Sequence, residues 1–262
     1  MRSAVPDRPD VLGALLASDG AGSAESSQAR SSAIEALPSA SRAWGEIDSR
    51  SQAPRWGMLV DTERCIGCWS CAVVCKSEND VPLGMWWNRI LTDGEDLDTP
   101  ELDAHGEPAM EWLPLACQHC DDAPCEKVCP TAATYTNDEG IVLVDADKCI
   151  GCRYCMAACP YGVRVFNWGE PTRAPGVEEG MVAPRPAGTV EKCSLCVHRI
   201  EEGQEPSCVV SCPAQARIFG DLNDADSRIN QVLRDRGGEQ LLKEKGTEPK
   251  VRYLPQRRRR SL

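Results

Sequence analysis

The chain has 262 residues, of which 16 are Cys and only 2 are Phe and 4 are Tyr, and its formal net charge is −11. The excess of acidic residues argues against nucleic acid as a partner, because phosphate binding needs a basic face. No apolar run approaches the roughly 18 residues of a membrane-spanning helix. The length allows one large domain or two small ones, and a core with so few aromatic side chains needs support beyond apolar packing.

The first 55 residues are rich in Ser, Ala, Gly, Asp and Arg and show no hydrophobic period. This composition predicts a disordered N-terminal extension. The apolar stretch from Val11 to Ala17 is too short for a signal peptide, and no twin-arginine pair lies near the N-terminus.

The cysteines then follow in four groups of four, with none left over. In chain order the groups are Cys65, Cys68, Cys71 and Cys75; Cys117, Cys120, Cys125 and Cys129; Cys149, Cys152, Cys155 and Cys159; and Cys193, Cys196, Cys208 and Cys212. The first and third groups, CIGCWSCAVVC and CIGCRYCMAACP, place three thiols at the same close spacing and a fourth thiol farther on.

Three kinds of cysteine chemistry compete. Disulfides fit an even count, but every group contains a Cys-x2-Cys pair that is too close to bridge without strain. Structural zinc needs two such pairs separated by a longer loop, a pattern that the fourth group alone approaches. Three thiolates on one short loop, with a fourth that ligates a neighbouring cluster, are typical of iron–sulfur proteins. The spacing therefore favours four [4Fe–4S] clusters that use all sixteen thiolates.

The second and third groups lie 19 residues apart, which is the repeat of a two-cluster ferredoxin. In such a pair the last cysteine of each group binds the cluster of the other group, and the first and fourth groups are left to pair in the same way. The predicted ligand sets are Cys65, Cys68, Cys71 and Cys212; Cys75, Cys193, Cys196 and Cys208; Cys117, Cys120, Cys125 and Cys159; and Cys129, Cys149, Cys152 and Cys155.

Residues between the ligands fit this interpretation. Gly67 and Gly151 have no Cβ, so that backbone amides can approach sulfur there, although an ordinary turn also uses glycine. A proline follows the last cysteine of three groups and ends a short helix, whereas Lys76 takes that place in the first group. The runs IVLVD and VRVF predict short strands.

The predicted fold class is α+β, with two ferredoxin-like two-cluster units, one inserted in the other, and loop-rich insertions. The inserted unit spans residues 116–160, and the split unit spans 56–115 and 161–225. Residues 226–262 form a C-terminal helix and a basic tail.

The segment Asn79–Pro114 holds Trp86, Trp87 and Trp112 among many acidic residues. It is either a docking surface for another subunit or a hairpin whose Trp side chains pack on a cluster unit, and we favour the hairpin.

Several polar side chains lie close to the ligand groups or follow them. His119 and His198 lie inside ligand groups and are candidates for hydrogen bonds that tune the clusters, not for iron ligands. The acidic side chains of Asp221, Asp224 and Asp226 predict a turn that caps the following helix.

The motifs CQHCDDAPC, CPYGVRVFNW, EKCSLCVHR, FGDLND and KGTEPKVRYLP resemble one family over about residues 56–255. It is the family of iron–sulfur (beta) subunits of dimethyl-sulfoxide-reductase-type molybdopterin oxidoreductases, nearest the polysulfide, thiosulfate, tetrathionate and arsenate reductase branch. Beta subunits of nitrate reductases carry Trp where this chain has Cys152, and those of formate dehydrogenases carry a C-terminal membrane helix that this sequence lacks.

The resemblance implies an electron-transfer subunit without a catalytic site or small-molecule substrate of its own. Its partners would be a molybdopterin catalytic subunit, nearer the first and fourth groups, and a quinone-reactive integral membrane subunit, nearer the second and third. The chain would be peripheral, on the extracytoplasmic face after export with a signal-bearing partner, with the cytoplasmic face left open. The Arg257–Arg260 run is either a lipid or partner contact or a solvated tail.

Two other functions stay open on the sequence alone. In a formate dehydrogenase or hydrogenase complex, a beta subunit of this kind would pass electrons toward quinone. In a zinc-dependent interaction module, the same thiols would hold four zinc ions.

Overall fold

The computed structural model describes residues 53–92, 112–172, 182 and 185–254. All of them belong to one compact unit, residues 51–262. Residues 1–52 of the predicted extension and the Arg257–Arg260 run lie outside the described residues. Within these ranges the chain mixes short helices and strands, as the α+β class predicts.

The described ranges contain the following elements. The strands are β1 Trp56–Asp61, β2 Arg89–Thr92, β3 Trp112–Leu115, β4 Thr134–Thr136, β5 Val142–Val144, β6 Val165–Phe166, β7 Val190–Glu191, β8 Arg217–Asp221 and β9 Val251–Leu254. The helices are α1 Ser70–Glu78, α2 Pro124–Lys127, α3 Tyr154–Ala158, α4 Val197–Glu201, α5 Ser207–Val210 and α6 Arg228–Arg236, with a single 3₁₀ turn at Lys243–Lys245.

A three-stranded sheet has β1 at its centre, antiparallel to β8 and parallel to β9. Successive side chains of a strand point to opposite faces, so Leu59 packs on one face with Ile229 of α6. Met58 and Val60 point to the other face and pack in the same core as Cys71. The sheet therefore separates α6 from the cysteine groups. Strand β9, which no local sequence signal predicted, completes this sheet.

The segment between the first two cysteine groups closes as a hairpin, because β2 pairs antiparallel with β3. Trp87 is buried, and Trp112 packs against the core that contains Cys71. The favoured hairpin interpretation is therefore confirmed for the described residues, and residues 93–111 lie outside them.

Two further small hairpins, β4 with β5 and β6 with β7, contain the predicted IVLVD and VRVF strands. The helices α2, α3 and α5 are four or five residues long and end shortly before the proline that follows each group. Helix α1 has no such proline and continues through Lys76 to Glu78. Both sequence predictions are confirmed.

The acidic turn before α6 is also present, with one correction to its role. Asp221 Oδ1 accepts a hydrogen bond from Asn223 N at 2.8 Å, and Asp224 Oδ1 accepts one from Asp226 N at 2.9 Å. The side chain that caps α6 is Ser227, which accepts from Asn230 N, because Ser227 is the residue next to the first helical turn. Among the helices of the described ranges, none has the length and apolarity that crossing a bilayer requires.

Candidate metal centres

Four cavities each bring together four or more cysteine thiols. Site 1 is lined by Cys129, Cys149, Cys152 and Cys155; site 2 by Cys117, Cys120, Cys125 and Cys159; site 3 by Cys75, Cys193, Cys196 and Cys208; and site 4 by Cys65, Cys68, Cys71 and Cys212. The empty space in each is about 310 to 460 Å³, openings included. In every site one group supplies three thiols and the last cysteine of another group supplies the fourth. The lining of each cavity thus includes one of the sets predicted from the spacing, and iron ligation by these thiols stays a prediction.

The order of the four sites follows from residues that line, or act electrostatically on, two neighbouring sites. Cys117 lines the cavity of site 3 as well as that of site 2. Arg217 lines the cavities of both site 3 and site 4. Arg164 lines site 2 and acts electrostatically on Cys155 of site 1. The order through the molecule is therefore site 1, site 2, site 3, site 4.

The backbone of sites 1 and 4 depends on two glycines. Gly151 and Gly67 adopt φ of 69° and 65°, a left-handed conformation that glycine adopts without strain. A Cβ at Gly151 would lie 2.2 Å from the carbonyl oxygen of Gly188, and one at Gly67 would lie 2.4 Å from the ring of Trp112. Glycine is thus required at both positions for a second reason, because other parts of the chain approach too closely to leave room for a Cβ.

Backbone amides donate to thiol sulfurs in sites 1 to 4. The donors and acceptors are Thr134 N to Cys129 Sγ at 3.4 Å, His119 N to Cys117 Sγ at 3.5 Å, Leu195 N to Cys193 Sγ at 3.3 Å and Ala216 N to Cys212 Sγ at 3.3 Å. Hydrogen bonds to sulfur favour the thiolate, the form that binds iron. At site 3 the buried amide of Asn79 adds donors 3.8 Å from Cys75 Sγ and 3.6 Å from Cys196 Sγ.

Burial opposes ionisation of the inner thiols. It raises the pKa of Cys120 and of Cys208 to about 11, and it raises the pKa of Cys193 well above the ordinary range. Cys117 differs, because His119 and the ammonium of Lys192 outweigh burial and lower its pKa below the ordinary value. Sites 2 and 3 therefore need compensating positive charge when their thiols ionise.

Two buried arginines supply such charge, and neither was a candidate on sequence grounds. Arg217 Nη1 lies 3.8 Å from Cys208 Sγ of site 3, and its Nη2 lies 3.6 Å from Cys71 Sγ of site 4. Burial acts to lower the pKa of Arg217, but the thiolates of these two cysteines raise it above its ordinary value.

Arg164 is buried beside sites 1 and 2 in a similar manner. Its Nη1 donates to Thr134 Oγ1 at 3.1 Å, whereas Nε and Nη2 have no hydrogen-bond partner in the described ranges. Burial raises the pKa of Cys125 and of Cys155, and the charge of Arg164 counteracts this rise at both thiols.

The two histidines inside ligand groups have different surroundings. His119 is buried with a positive φ, and neither ring nitrogen has a partner among the described residues. His198 Nε2 lies 2.9 Å from Glu78 Oε1, so its ring nitrogen contacts a carboxylate and not a thiol. The structure thus places His119 where the predicted tuning is possible, whereas His198 joins α4 to α1.

The residues present fit iron–sulfur clusters. All sixteen cysteines are in the described ranges and are free thiols. Each cavity has four thiols of its own, with Cys117 of site 2 also lining site 3, and the unpartnered N–H groups of Arg164 are beside the thiols of site 2. A cluster of inorganic sulfide and thiolate would accept hydrogen bonds from these donors.

Comparison with known proteins agrees with this chemistry. A family model described as a 4Fe-4S dicluster domain matches residues 108–174 and 181–222. The chain is 56% identical over 205 residues to the iron–sulfur subunit of a putative dimethyl sulfoxide reductase of Halobacterium salinarum, covering 76% of this chain and 78% of that protein.

Two other relatives are similar over most of their length. One polypeptide of the polysulfide reductase of Wolinella succinogenes is 36% identical, with 79% of this chain and 97% of that protein covered. The menaquinone reductase iron–sulfur cluster-binding subunit of Nitratidesulfovibrio vulgaris is 38% identical, with 78% and 89% covered.

This protein belongs to the family of iron–sulfur electron-transfer subunits of molybdopterin-type respiratory reductases, and the predicted resemblance is confirmed. Its relatives are iron–sulfur subunits of reductases.

Proposed function

We propose that this chain carries four [4Fe–4S] clusters, one in each of sites 1 to 4, and passes electrons between two partner proteins without a substrate site of its own. The observation that carries the proposal is that four cavities, each lined by four or more free thiols, follow one another through the molecule. A [4Fe–4S] cluster held by four thiolates supplies a one-electron carrier. The chain's own residues hold, bury and order these carriers.

We assign sites 1 and 2 to an inserted unit, residues 116–160, and sites 3 and 4 to a split unit, residues 56–115 and 161–225. Residues 226–262 follow as a C-terminal segment. The exchange of the last cysteine within each pair of groups supports this nested arrangement. The shared lining residue Cys117 supports electron passage between the two units.

Both ends of the series of sites open at the surface among apolar side chains. At site 1, Cys152 is exposed beside Ile150 and Tyr154, which are 67% and 65% exposed. At site 4, Cys68 is exposed beside Ile66, which is 62% exposed. Exposed apolar side chains around a terminal site are what a docking partner would cover. This supports electron entry at one end and exit at the other.

The partners that we propose are a quinone-reactive integral membrane subunit at the site 1 end and a molybdopterin catalytic subunit at the site 4 end. The subunit would be peripheral, on the extracytoplasmic face. The similarity to a polypeptide of polysulfide reductase supports a subunit of a reductase complex. The similarity to a menaquinone reductase subunit supports the second candidate, electron flow toward quinone, as in a formate dehydrogenase or hydrogenase complex.

Metal analysis of anaerobically purified protein tests the four clusters. We expect about 16 iron and 16 sulfide per chain, four for each cubane. About four zinc ions per chain would instead support an interaction module. In a Cys212→Ala variant we expect loss of the electron paramagnetic resonance signal of site 4, and loss of the site 3 signal would overturn the ligand sets.

Surface variants in a purified complex test the two ends. Ile150→Glu should slow electron exchange with a quinone analogue, and Ile66→Glu should slow exchange with the catalytic subunit. Leu242→Glu is the matched control, since Leu242 is also an exposed apolar residue but lines none of the four sites. If Ile150→Glu slows exchange with the catalytic subunit and Ile66→Glu slows exchange with the quinone analogue, the two partners bind at the opposite ends. Equal rates in all three variants would contradict docking at these ends. The rates of quinol oxidation and of quinone reduction, measured with the same complex, show in which direction electrons flow.

A further inference from the structure

Arg164 and Arg217 occupy the same position after a cysteine group. Each follows the last cysteine of its group by five residues, in CPYGVRVF and CPAQARIF. Each also stands at the start of a strand, since β6 begins directly after Arg164 and β8 begins at Arg217. The repeated C-P-x-x-x-R pattern therefore delivers one arginine to each of the two predicted ferredoxin-like units.

The thiols that each arginine faces also correspond. Arg217 reaches Cys71 and Cys208, the third cysteines of the first and fourth groups. Arg164 acts on Cys125 and Cys155, the third cysteines of the second and third groups. Each guanidinium therefore acts on one thiol from each of the two sites of its unit, Arg217 at hydrogen-bond distance and Arg164 through its charge.

Both positive charges are deeply buried, with 4% of Arg164 and 5% of Arg217 exposed. Their oxygen partners are uncharged, because Arg164 donates to Thr134 Oγ1 and Arg217 donates to Asn88 Oδ1 at 2.9 Å. A buried guanidinium is costly unless negative charge lies close by. The nearby negative charge is that of the ionised thiols and whatever they hold. Arginine remains protonated at any pH in a protein, so this charge is permanent.

We propose that Arg164 and Arg217 are electrostatic positioning residues, one per two-site unit, that raise the reduction potentials of both clusters in their unit. The inference rests on the proposed four clusters and their ligand sets. Four oxidised clusters with their thiolates add about −8 to the formal charge of the chain, and each one-electron reduction adds a further negative charge. A permanent positive charge that both sites share favours the reduced state of both. Arg164 would act on sites 1 and 2, and Arg217 on sites 3 and 4.

Redox titration followed by electron paramagnetic resonance tests this on the full-length holoprotein. In Arg217→Gln we expect lower potentials at sites 3 and 4, with at least a tenfold change in the reduction equilibrium, about 59 mV for one electron. Sites 1 and 2 should keep their potentials. In Arg164→Gln we expect lower potentials at sites 1 and 2, and sites 3 and 4 should keep theirs. Arg164→Lys and Arg217→Lys keep the charge and should restore most of each shift.

Arg236→Gln is the matched control. Arg236 forms an ion pair with Asp61 and lines none of the four sites, so all four potentials should stay unchanged. Gln variants of Arg164 and Arg217 with full iron content and unchanged potentials would overturn the inference. If a Gln variant loses iron and the Lys variant retains it, the Lys variant is titrated instead: potentials close to those of the wild type support the inference, and clearly lower potentials at the two sites of that unit overturn it. Loss of iron in both would overturn it, since guanidinium geometry would then be the requirement. A wild-type chain with fewer than four clusters would instead overturn the proposed function.

Discussion

Trp87 Nε1 donates a 3.0 Å hydrogen bond to Glu191 Oε2, and both side chains are buried. The bond joins the segment after the first cysteine group to the strand that precedes the fourth group. Asn167 also donates to this carboxylate, and the guanidinium of Arg185 stacks over the Trp87 ring. Burial raises the pKa of Glu191 despite these partners. A buried polar contact thus joins the segments that carry the first and fourth groups.

Replacing Trp87 with Phe should keep most of the apolar packing but remove this donor. A hydrogen bond to a charged group contributes about 1.5–3 kcal/mol, and we expect the free energy of unfolding to fall by about that amount. Anaerobic thermal unfolding measures the change. Trp86→Phe is the control, because Trp86 packs against Trp69 and Lys76 and not against Glu191. Equal effects of the two substitutions would contradict a specific role for the Trp87 bond.

Gly151 offers a test of close backbone approach at site 1. Gly151→Ala introduces a Cβ that would lie 2.2 Å from Gly188 O, so we expect iron loss confined to site 1. Gly162→Ala is the matched control, since Gly162 also has positive φ, 59°, but a Cβ there meets no atom within 4 Å. The control variant should retain site 1. Iron analysis and the spectrum of each site distinguish the two variants. If both variants lose the same amount of iron, the cause is the backbone strain that they share and not the close approach of Gly188.

Because Lys250 is buried, we expect the stability of the folded chain to change with pH in the alkaline range. Its Nζ is buried and lies 2.9 Å from Asp121 Oδ1, and burial, aided by Arg55, lowers its pKa from 10.5 to about 8. Between pH 8 and 10.5 the unfolded chain therefore binds a proton that the folded chain has lost, and this contribution to stability rises with pH.

The measurement is the difference in thermal midpoint between the wild-type chain and Lys250→Met. From pH 7.5 to 9.5 we expect the wild type to gain relative to the variant, because the variant lacks the titrating amine. Other titrating groups are common to both proteins and cancel in the difference. A difference that stays constant with pH would contradict the lowered pKa of Lys250.

An ion-pair network centred on Glu78 joins α1 to α4. Its carboxylate accepts from His198 Nε2 and from Arg199 Nη1, and these partners help to lower the pKa of Glu78 although burial opposes the ionised form. Glu78→Gln should lower the free energy of unfolding by about 1–2 kcal/mol, as expected for a partly buried charged hydrogen bond. Glu63→Gln, which alters a more exposed pair with Arg236, should change it by less than about 1 kcal/mol. Denaturant titration compares the two, and a larger effect at Glu63 would refute the assignment.

The spacing of the cysteines carries most of what the sequence predicts about the site. Three thiols of each predicted set come from one cysteine group and the fourth comes from another group, so the sets that line the cavities depend on both local spacing and long-range packing. The strands Val142–Val144 and Val165–Phe166 were likewise predictable, since they are short β-branched runs beside those loops. Ser227 was not identified as the cap of α6, because a nearby aspartate is an equally good capping residue and only the helix boundary decides between them.

The number of thiols, their division into four groups and the chemistry that they favour follow from the order of the residues, because they depend on residue type and short-range spacing. Long-range packing is what brings Val251–Leu254 into the sheet beside Trp56–Asp61, Cys117 to two sites and Arg217 to a place between two others. Those relationships join residues far apart in the chain. They depend on how the whole chain packs, which local spacing does not specify.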